Sequence, residues 1–175
     1  GSRSQEIARL LPAFIKVAKS MQERSFVLIR PESAVPVWPE IDLPKNTTLF
    51  TGELKDGMRQ CSAALVCSGT ATLEVALLGV PQLVVYRANP ISLAIAKRFV
   101  KVNYISLPNL ILDAGALPEL LQEAAGGASL LQRLRVLIED PSDQFIAYAK
   151  LRKALEEKDP AATAAEHILA VSSEA

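Results

Sequence analysis

Apolar residues near the start of the chain recur every three or four positions, which is the spacing of one helix face. These residues are Ile7, Leu10, Leu11, Phe14, Ile15, Ala18 and Met21. The pattern predicts an amphipathic helix that packs against a core. Ser2 followed by Gln5 fits a capping box, so this helix is expected to begin immediately after Gly1.

After the first helix, short apolar runs alternate with helical periods. Residues 25–29 resemble a buried strand, and repeated prolines make the next stretch to about Lys45 irregular. Further strands are predicted over 48–50, 63–67 and 82–86, and helices over 53–60, 70–78 and 90–102. This alternation is typical of the α/β class. We therefore predict a doubly wound, Rossmann-like parallel sheet with helices on both faces.

The pattern changes towards the C-terminus. From Leu117 onward it is helical, with a helical C-terminal segment from about 128 and separate helices over 130–138, 142–156 and 161–171. A doubly wound domain has a strand before its first helix, usually near the centre of the sheet. Here the chain starts at that turn, either because a preceding half is missing or because Gly1 and Ser2 are a cloning remnant. We expect an incomplete core unless another strand fills the gap.

Composition narrows the function classes. With 175 residues, half of them apolar, residues 1–175 are expected to form a single domain. Nineteen basic and nineteen acidic residues balance, so no nucleic-acid partner is expected. Two cysteines and one histidine, His167, do not suggest a disulfide framework, a zinc cluster or a histidine triad. No apolar run approaches the ~20 residues that span a bilayer, and we expect a soluble, cytoplasmic protein.

The clearest chemical signal is the junction between strand 63–67 and helix 70–78. Such a junction directs unpaired backbone N–H groups and the positive end of the helix dipole at one point. Gly69 has no side chain to keep a phosphate away, and the Ser68 and Thr70 hydroxyls add donors. A phosphate or diphosphate fits this chemistry. The alternative is an ordinary capped helix start.

Glu74 is the only charged residue from Ala71 to Val80. A helix that is apolar all round is expected to be buried, where an unpaired carboxylate is costly. At about 1.5 Å per residue, Glu74 lies ~7 Å beyond Gly69. This separation suits a carboxylate that accepts hydrogen bonds from ribose hydroxyls while the helix start holds phosphates. The alternative is an Arg or Lys partner within the fold.

Four sequence blocks together resemble the lipid-A-disaccharide synthase family, in that family's order. They are Gly1-Ser2-Arg3 with Glu6-Ile7, residues 68–74, residues 104–110 and residues 119–122. The resemblance implies the C-terminal, donor-binding half of a two-domain GT-B glycosyltransferase, with the N-terminal acceptor domain absent from this chain. It implies inverting transfer of diacylglucosamine from UDP-diacylglucosamine to diacylglucosamine 1-phosphate, which gives lipid A disaccharide and UDP.

The resemblance also implies which residues bind the donor. The diphosphate would be held by Ser68, Gly69, Thr70, Ala71 and Thr72. The ribose would be bound by Glu74, and the charge of the departing diphosphate would be balanced by Arg3. The donor pocket would be lined by Asn109 and Gln122. The catalytic base, an aspartate in the family, belongs to the N-terminal half. We therefore expect the chain alone to be inactive. No acidic pair typical of magnesium or manganese stands near the turn, so no metal and no cofactor are expected.

The predicted helix 90–102 is basic and amphipathic. Lys97, Arg98 and Lys101 share one stripe, which could rest on an anionic membrane at the inner face of the inner membrane. It could also hold the phosphate of an anionic lipid acceptor, and an ordinary helix with a solvated face is the alternative. Two other functions also stay open. One is another UDP-N-acetylglucosamine enzyme of the same fold, and the other is a non-catalytic nucleotide-sugar-binding module.

Overall fold

The structure is a computed structural model that describes residues 4–87 and 103–156. Several predicted features lie outside these residues: Arg3, His167 and the predicted helices 90–102 and 161–171. The basic stripe belongs to the first of these helices and lies outside them too. The helices are α1 (Ser4–Ser20), α2 (Leu54–Met58), α3 (Thr70–Leu77), α4 (Leu107–Leu112), α5 (Gly127–Glu139) and α6 (Ser142–Glu156). The strands are β1 (Phe26–Arg30), β2 (Thr47–Thr51), β3 (Ala64–Cys67), β4 (Gln82–Tyr86) and β5 (Glu119–Leu121). Short 3-10 turns cover Glu32–Val37 and Gln122–Ala125.

All the described strand pairs are parallel. β1 pairs with β2, with Phe26 opposite Thr47, and β4 lies between β3 and β5 in a separate sheet. Parallel neighbours need crossover connections, and α2, α3 and α4 lie between successive strands in chain order. The predicted α/β class with a Rossmann-like parallel sheet is confirmed.

Helices cover both faces of the larger sheet. On one face, Leu83 and Val85 of β4 pack with residues of α1 and α5. On the other face, Val84 packs with residues of α3 and α6. Because alternate residues of a strand point to opposite faces, β4 reads as a continuous apolar run that is buried on both sides. The predicted two-sided helical cover is confirmed.

The expectation of a helical pattern from Leu117 onward is wrong at its beginning. Residues Glu119–Leu121 form β5, which pairs in parallel with β4, and a 3-10 turn follows. A strand of three residues is too short to show a period of two, so the neighbouring helices dominated the pattern. Helix α4, six residues long, was not predicted for a similar reason.

A cluster of buried polar side chains on α6 is hydrogen-bonded to the first residue of β4. The Gln144 side chain accepts a hydrogen bond from the Gln82 N–H at 2.8 Å and donates one to the Gln82 carbonyl at 2.9 Å. The Tyr148 hydroxyl lies 2.9 Å from the Val80 carbonyl oxygen, and burial raises the pKa of Tyr148 to about 12. The Gln144 amide thus supplies β4 with the pairing that a neighbouring strand would otherwise give.

Among residues 4–87 and 103–156, no helix combines the length and the apolar character that crossing a membrane requires.

We expect Gln144→Ala to lower the free energy of unfolding by about 2–4 kcal/mol, because each buried group of Gln82 left unpaired costs about 1–3 kcal/mol. Urea unfolding followed by circular dichroism measures this change. Gln132 is exposed on α5. Gln132→Ala is therefore the matched control, expected within about 0.5 kcal/mol of the parent. Equal losses in the two variants would contradict the role of Gln144.

Candidate functional site

The candidate site lies at the carboxyl ends of the strands, where the two sheets meet a common groove. On one side of the groove the strands follow in the order β1, β2, and on the other side in the order β3, β4, β5. The direction in which successive strands are added to the sheet therefore reverses at the groove. In open α/β sheets ligands bind at such a topological switch point. The groove has a volume of about 1150 Å³, and its lining includes Glu6, residues 68–71 and Glu74.

The turn between β3 and α3 presents backbone donors to this groove. Gly69 has φ +140° and ψ −163°, a region that is essentially restricted to glycine. The N–H groups of Ser68 and Thr72 are already bonded, to the carbonyls of Val85 and Gly69. Within the described ranges, the N–H groups of Gly69, Thr70 and Ala71 have no hydrogen-bond acceptor. These amides lie at the positive end of the α3 dipole, an arrangement suited to an anion.

The hydroxyl groups of this turn differ in availability. The Ser68 hydroxyl donates to the Ile105 carbonyl at 3.0 Å, and the Thr72 hydroxyl donates to the Gly69 carbonyl at 2.7 Å. Thr72 is fully buried and does not line the groove. Thr70 is exposed, and its hydroxyl has no partner in the described part of the chain. The predicted role of Ser68, Thr70 and Thr72 in ligand binding stays a prediction.

Glu74 is exposed, so the expectation that α3 is buried all round is wrong. Only one side of this short helix enters the core, and Leu77 is 41% exposed. No residue of the described ranges makes a hydrogen bond or ion pair with the Glu74 carboxylate, so the alternative of an internal Arg or Lys partner has no support there. The carboxylate lines the same groove as residues 68–71.

Glu119 organises the segment that contacts Ser68, and sequence analysis missed it. Its carboxylate accepts hydrogen bonds from the Ile105 N–H at 2.9 Å, the Ser106 N–H at 2.9 Å and the Asn109 amide at 2.8 Å. The Ser106 hydroxyl donates to the same carboxylate at 2.7 Å. The Ile105 carbonyl in turn accepts a hydrogen bond from the Ser68 hydroxyl. The detectable signal was an acidic residue inside an otherwise apolar block, 117–121.

Asn109 does not line the groove. It is 1% exposed. Its side-chain N–H₂ group donates to the Leu117 carbonyl and the Glu119 carboxylate, and its side-chain oxygen accepts from the Leu117 N–H. Its observed contacts therefore support the 105–109 segment, and the predicted role in donor binding stays a prediction.

Gln122 lies at the carboxyl end of β5 and has a φ of +54°. Its carbonyl accepts a hydrogen bond from the Arg87 side chain at 3.2 Å, and Arg87 also donates to the Arg9 carbonyl at 3.4 Å. The Gln122 Nε2 is buried without a partner in the described residues. Arg87, which directly follows β4, was not singled out as a site residue, although its position at the carboxyl edge of the sheet was a usable signal.

In residues 4–87 and 103–156, no group of three or more His, Cys, Asp or Glu side chains is placed so that it could hold a metal ion. The expected absence of a metal and of a cofactor stays a prediction.

We expect Gly69→Ala to destabilise the protein by about 1–3 kcal/mol, because alanine is strained in this backbone region. A Cβ at Gly69 would meet no atom within 4 Å, so the loss would come from conformation and not from a clash. Urea unfolding measures it. The control is Gly115→Ala, where φ is not positive and the new Cβ would make ordinary contact with Tyr104 at 3.5 Å. A Gly69→Ala protein as stable as the control would be inconsistent with the strained turn.

We expect Glu119→Gln to cost about 2–4 kcal/mol, because a charged acceptor of four hydrogen bonds is replaced by an amide, and such bonds contribute about 1.5–3 kcal/mol each. The same substitution at Glu123, which is exposed on the next turn, is the control. Urea unfolding gives the stability of both variants, and NMR chemical shifts report on Ser68. A shift of the Ser68 resonances is expected only for Glu119→Gln. Unchanged Ser68 resonances in that variant would disprove the coupling.

Comparisons with known proteins relate the chain to one family. The family model described as lipid-A-disaccharide synthetase matches residues 1–172. A lipid-A-disaccharide synthase of Pseudomonas entomophila is 37% identical over 180 residues, which cover 98% of this chain and 47% of the relative. Proteins of the same name from Synechocystis and Geobacter sulfurreducens are 35% and 31% identical, covering 96% and 88% of this chain and 46% and 41% of their own lengths.

The chain spans about half the length of the curated relatives it matches. The family model, in contrast, extends over nearly every residue of the chain. On these matches, the chain belongs to the lipid-A-disaccharide synthase family.

Proposed function

We propose that this chain is the donor-binding half of a GT-B glycosyltransferase of lipid A biosynthesis. The enzyme would move diacylglucosamine from UDP-diacylglucosamine to diacylglucosamine 1-phosphate and release UDP and the lipid A disaccharide. Membership of the family supports this choice over the two functions left open by the sequence. The observation that carries the site is that the N–H groups of Gly69, Thr70 and Ala71 and the Glu74 carboxylate share one groove at the switch point, all without a partner among the described residues.

The diphosphate of the donor would bind the N–H groups of Gly69, Thr70 and Ala71. When the glycosidic bond to UDP breaks, negative charge grows on the departing diphosphate, so donors that are already oriented lower the barrier. A helix terminus contributes about 0.3–1 kcal/mol when exposed and up to ~2 when partly buried. Arg3, which directly precedes α1, would add a charged hydrogen bond of about 1.5–3 kcal/mol.

The ribose would bind Glu74. A carboxylate can accept hydrogen bonds from both ribose hydroxyls, and its five-residue distance from Gly69 corresponds to about 7 Å along the helix. Glu74 is exposed towards the groove and unpaired among the described residues, so binding would not need to break an internal ion pair. Gln122 is not part of the groove lining, and its buried Nε2 has no partner among the described residues. Its contribution to the donor pocket is proposed from the family resemblance alone.

The remaining parts of the reaction would come from outside this chain. The catalytic base and the acceptor site would belong to the N-terminal half, so this chain by itself would not transfer sugar. The location proposed for the whole enzyme is the bacterial cytoplasm at the inner face of the inner membrane. Lys97, Arg98 and Lys101 are proposed to contact its anionic surface.

We expect Glu74→Gln to weaken UDP binding about 10- to 150-fold, because charged hydrogen bonds of about 1.5–3 kcal/mol are lost. Isothermal titration calorimetry with UDP measures the affinity. Glu139 is an exposed carboxylate on α5 that does not line the groove, so Glu139→Gln is the matched control.

Titration with uridine and UMP tests the phosphate half of the site in the same experiment. Affinity should rise from uridine to UMP to UDP, because each phosphate adds contacts with the turn. Equal affinity of the parent and Glu74→Gln for UDP, or equal affinity of the parent for uridine and UDP, would refute the proposed site.

A further inference from the structure

Arg87 lies directly after β4, at the carboxyl edge of the larger sheet, and is half-buried. Alternate residues of a strand point to opposite faces, and Leu83 and Val85 pack on the face that α1 and α5 cover. Arg87 continues this alternation, and its guanidinium reaches α1. The side chain therefore lies against the helix that forms one wall of the groove, although it is not part of the groove lining itself.

The Arg87 guanidinium joins two elements that are far apart in sequence. Its Nε donates to the Gln122 carbonyl, at the end of β5, at 3.2 Å, and its Nη1 donates to the Arg9 carbonyl of α1 at 3.4 Å. No carboxylate of residues 4–87 and 103–156 forms an ion pair with this cation. Because both bonds go to main-chain atoms, they restrain the positions of the two segments directly.

The backbone of Gln122 is in a conformation that needs such a restraint. Its φ is +54°, and among the described residues Asp113 is the other non-glycine residue with a positive φ. Side chains other than those of Asn, Asp and His seldom adopt this region, and it persists where the surroundings impose it. The hydrogen bond from Arg87 fixes the direction of the Gln122 carbonyl and so contributes to holding this conformation.

Helix α1 is interrupted by a proline close to the carbonyl that Arg87 contacts. Pro12 lies in the interior of this 17-residue helix. Proline has no N–H, so the Ala8 carbonyl loses its helical partner, and the ring presses against the preceding turn. Proline is for this reason a common cause of helix kinks. The Arg9 carbonyl belongs to that turn, so Arg87 holds α1 where its own hydrogen bonding is weakest.

The turns of α1 before Pro12 form part of the groove. Four of their side chains line the same groove as the turn at residues 68–71. They are Glu6, Ile7, Leu10 and Leu11. The opposite end of α1 has a restraint of its own, because the Asn46 amide donates to the Ala18 and Met21 carbonyls at 3.0 Å each. A movement of the turns before Pro12 would therefore change the groove while the end of the helix stays in place.

We propose that Arg87 is a positioning residue of the donor site. From the end of β4, its guanidinium fixes the turns of α1 before Pro12 relative to the ends of β4 and β5, and with them one wall of the groove. Arg3 directly precedes these turns and is the residue proposed to bind the diphosphate, so Arg87 positions it. This consequence for nucleotide binding rests on the proposed function, whereas the restraint on α1 does not.

Amide hydrogen exchange, followed by NMR without any nucleotide, tests the restraint on α1. In Arg87→Ala we expect the amides of residues 8–11, which precede Pro12, to exchange at least about fivefold faster than in the parent, because this part of the helix opens locally. The amide of Val17 should keep its protection to within about twofold, since Asn46 and the core hold the end of the helix.

Arg135 is an exposed arginine on α5 that makes none of these contacts. Arg135→Ala is therefore the matched control with the same change in charge, and we expect it to leave the amides of α1 unchanged. Unaltered exchange at residues 8–11 in Arg87→Ala, or an equal acceleration before and after Pro12, would overturn the proposal.

A second substitution separates positioning from a general loss of stability. Pro12→Ala supplies an N–H for the Ala8 carbonyl and removes the ring, so the turns on either side become one continuous helix. In the double variant we expect the amides of residues 8–11 to regain most of the protection that Arg87→Ala removes. A loss that is the same with Pro12 and with alanine at this position would contradict the role of Arg87 at the interrupted turn.

Calorimetric titration with UDP and with uridine tests the consequence for the donor site. We expect Arg87→Ala to weaken UDP binding about two- to tenfold, which is the range that ordering one long side chain costs. Its affinity for uridine should stay within about twofold of the parent, because the positioned residue serves the phosphates. In an Arg3→Ala background, Arg87→Ala should have no further effect, since the residue that it positions is gone.

Equal losses for UDP and uridine, or a full additional loss in the Arg3→Ala background, would overturn the route through Arg3. A parent chain that does not bind UDP would instead refute the proposed donor site. The exchange measurements contain no nucleotide, so they decide the role of Arg87 in either case.

Discussion

The parallel ladder between β3 and β4 is the constraint on which the candidate site depends. The Ser68 N–H donates to the Val85 carbonyl next to this ladder, which fixes the end of β3 at the edge where β4 ends at Tyr86. Beyond this last bond the chain turns into α3, and the next N–H groups are left without partners among the described residues. An anion site of this kind needs no charged side chain, because backbone amides that are already held in place lose little freedom on binding.

A second constraint acts on the same turn from the side. Glu119 at the start of β5 gathers the N–H groups of Ile105 and Ser106, and the Ile105 carbonyl then holds the Ser68 hydroxyl. Glu119 is half-buried, and removing a carboxylate from water is costly unless it is hydrogen-bonded; here four hydrogen bonds satisfy it. The turn between β3 and α3 is therefore stabilised both by β4 and by the 105–109 segment, which lies almost forty residues away in sequence.

Sequence analysis recovered the features that local patterns encode. The strand–turn–helix at residues 63–78 and the apolar run of β4 follow from period and glycine placement, so their positions agree with the structure. The exposure of Glu74 was not recoverable, because the surroundings of a short helix depend on which neighbours pack against it. The network around Glu119 was missed for the same reason, since it joins residues 105–109 to β5 and no local pattern records that contact.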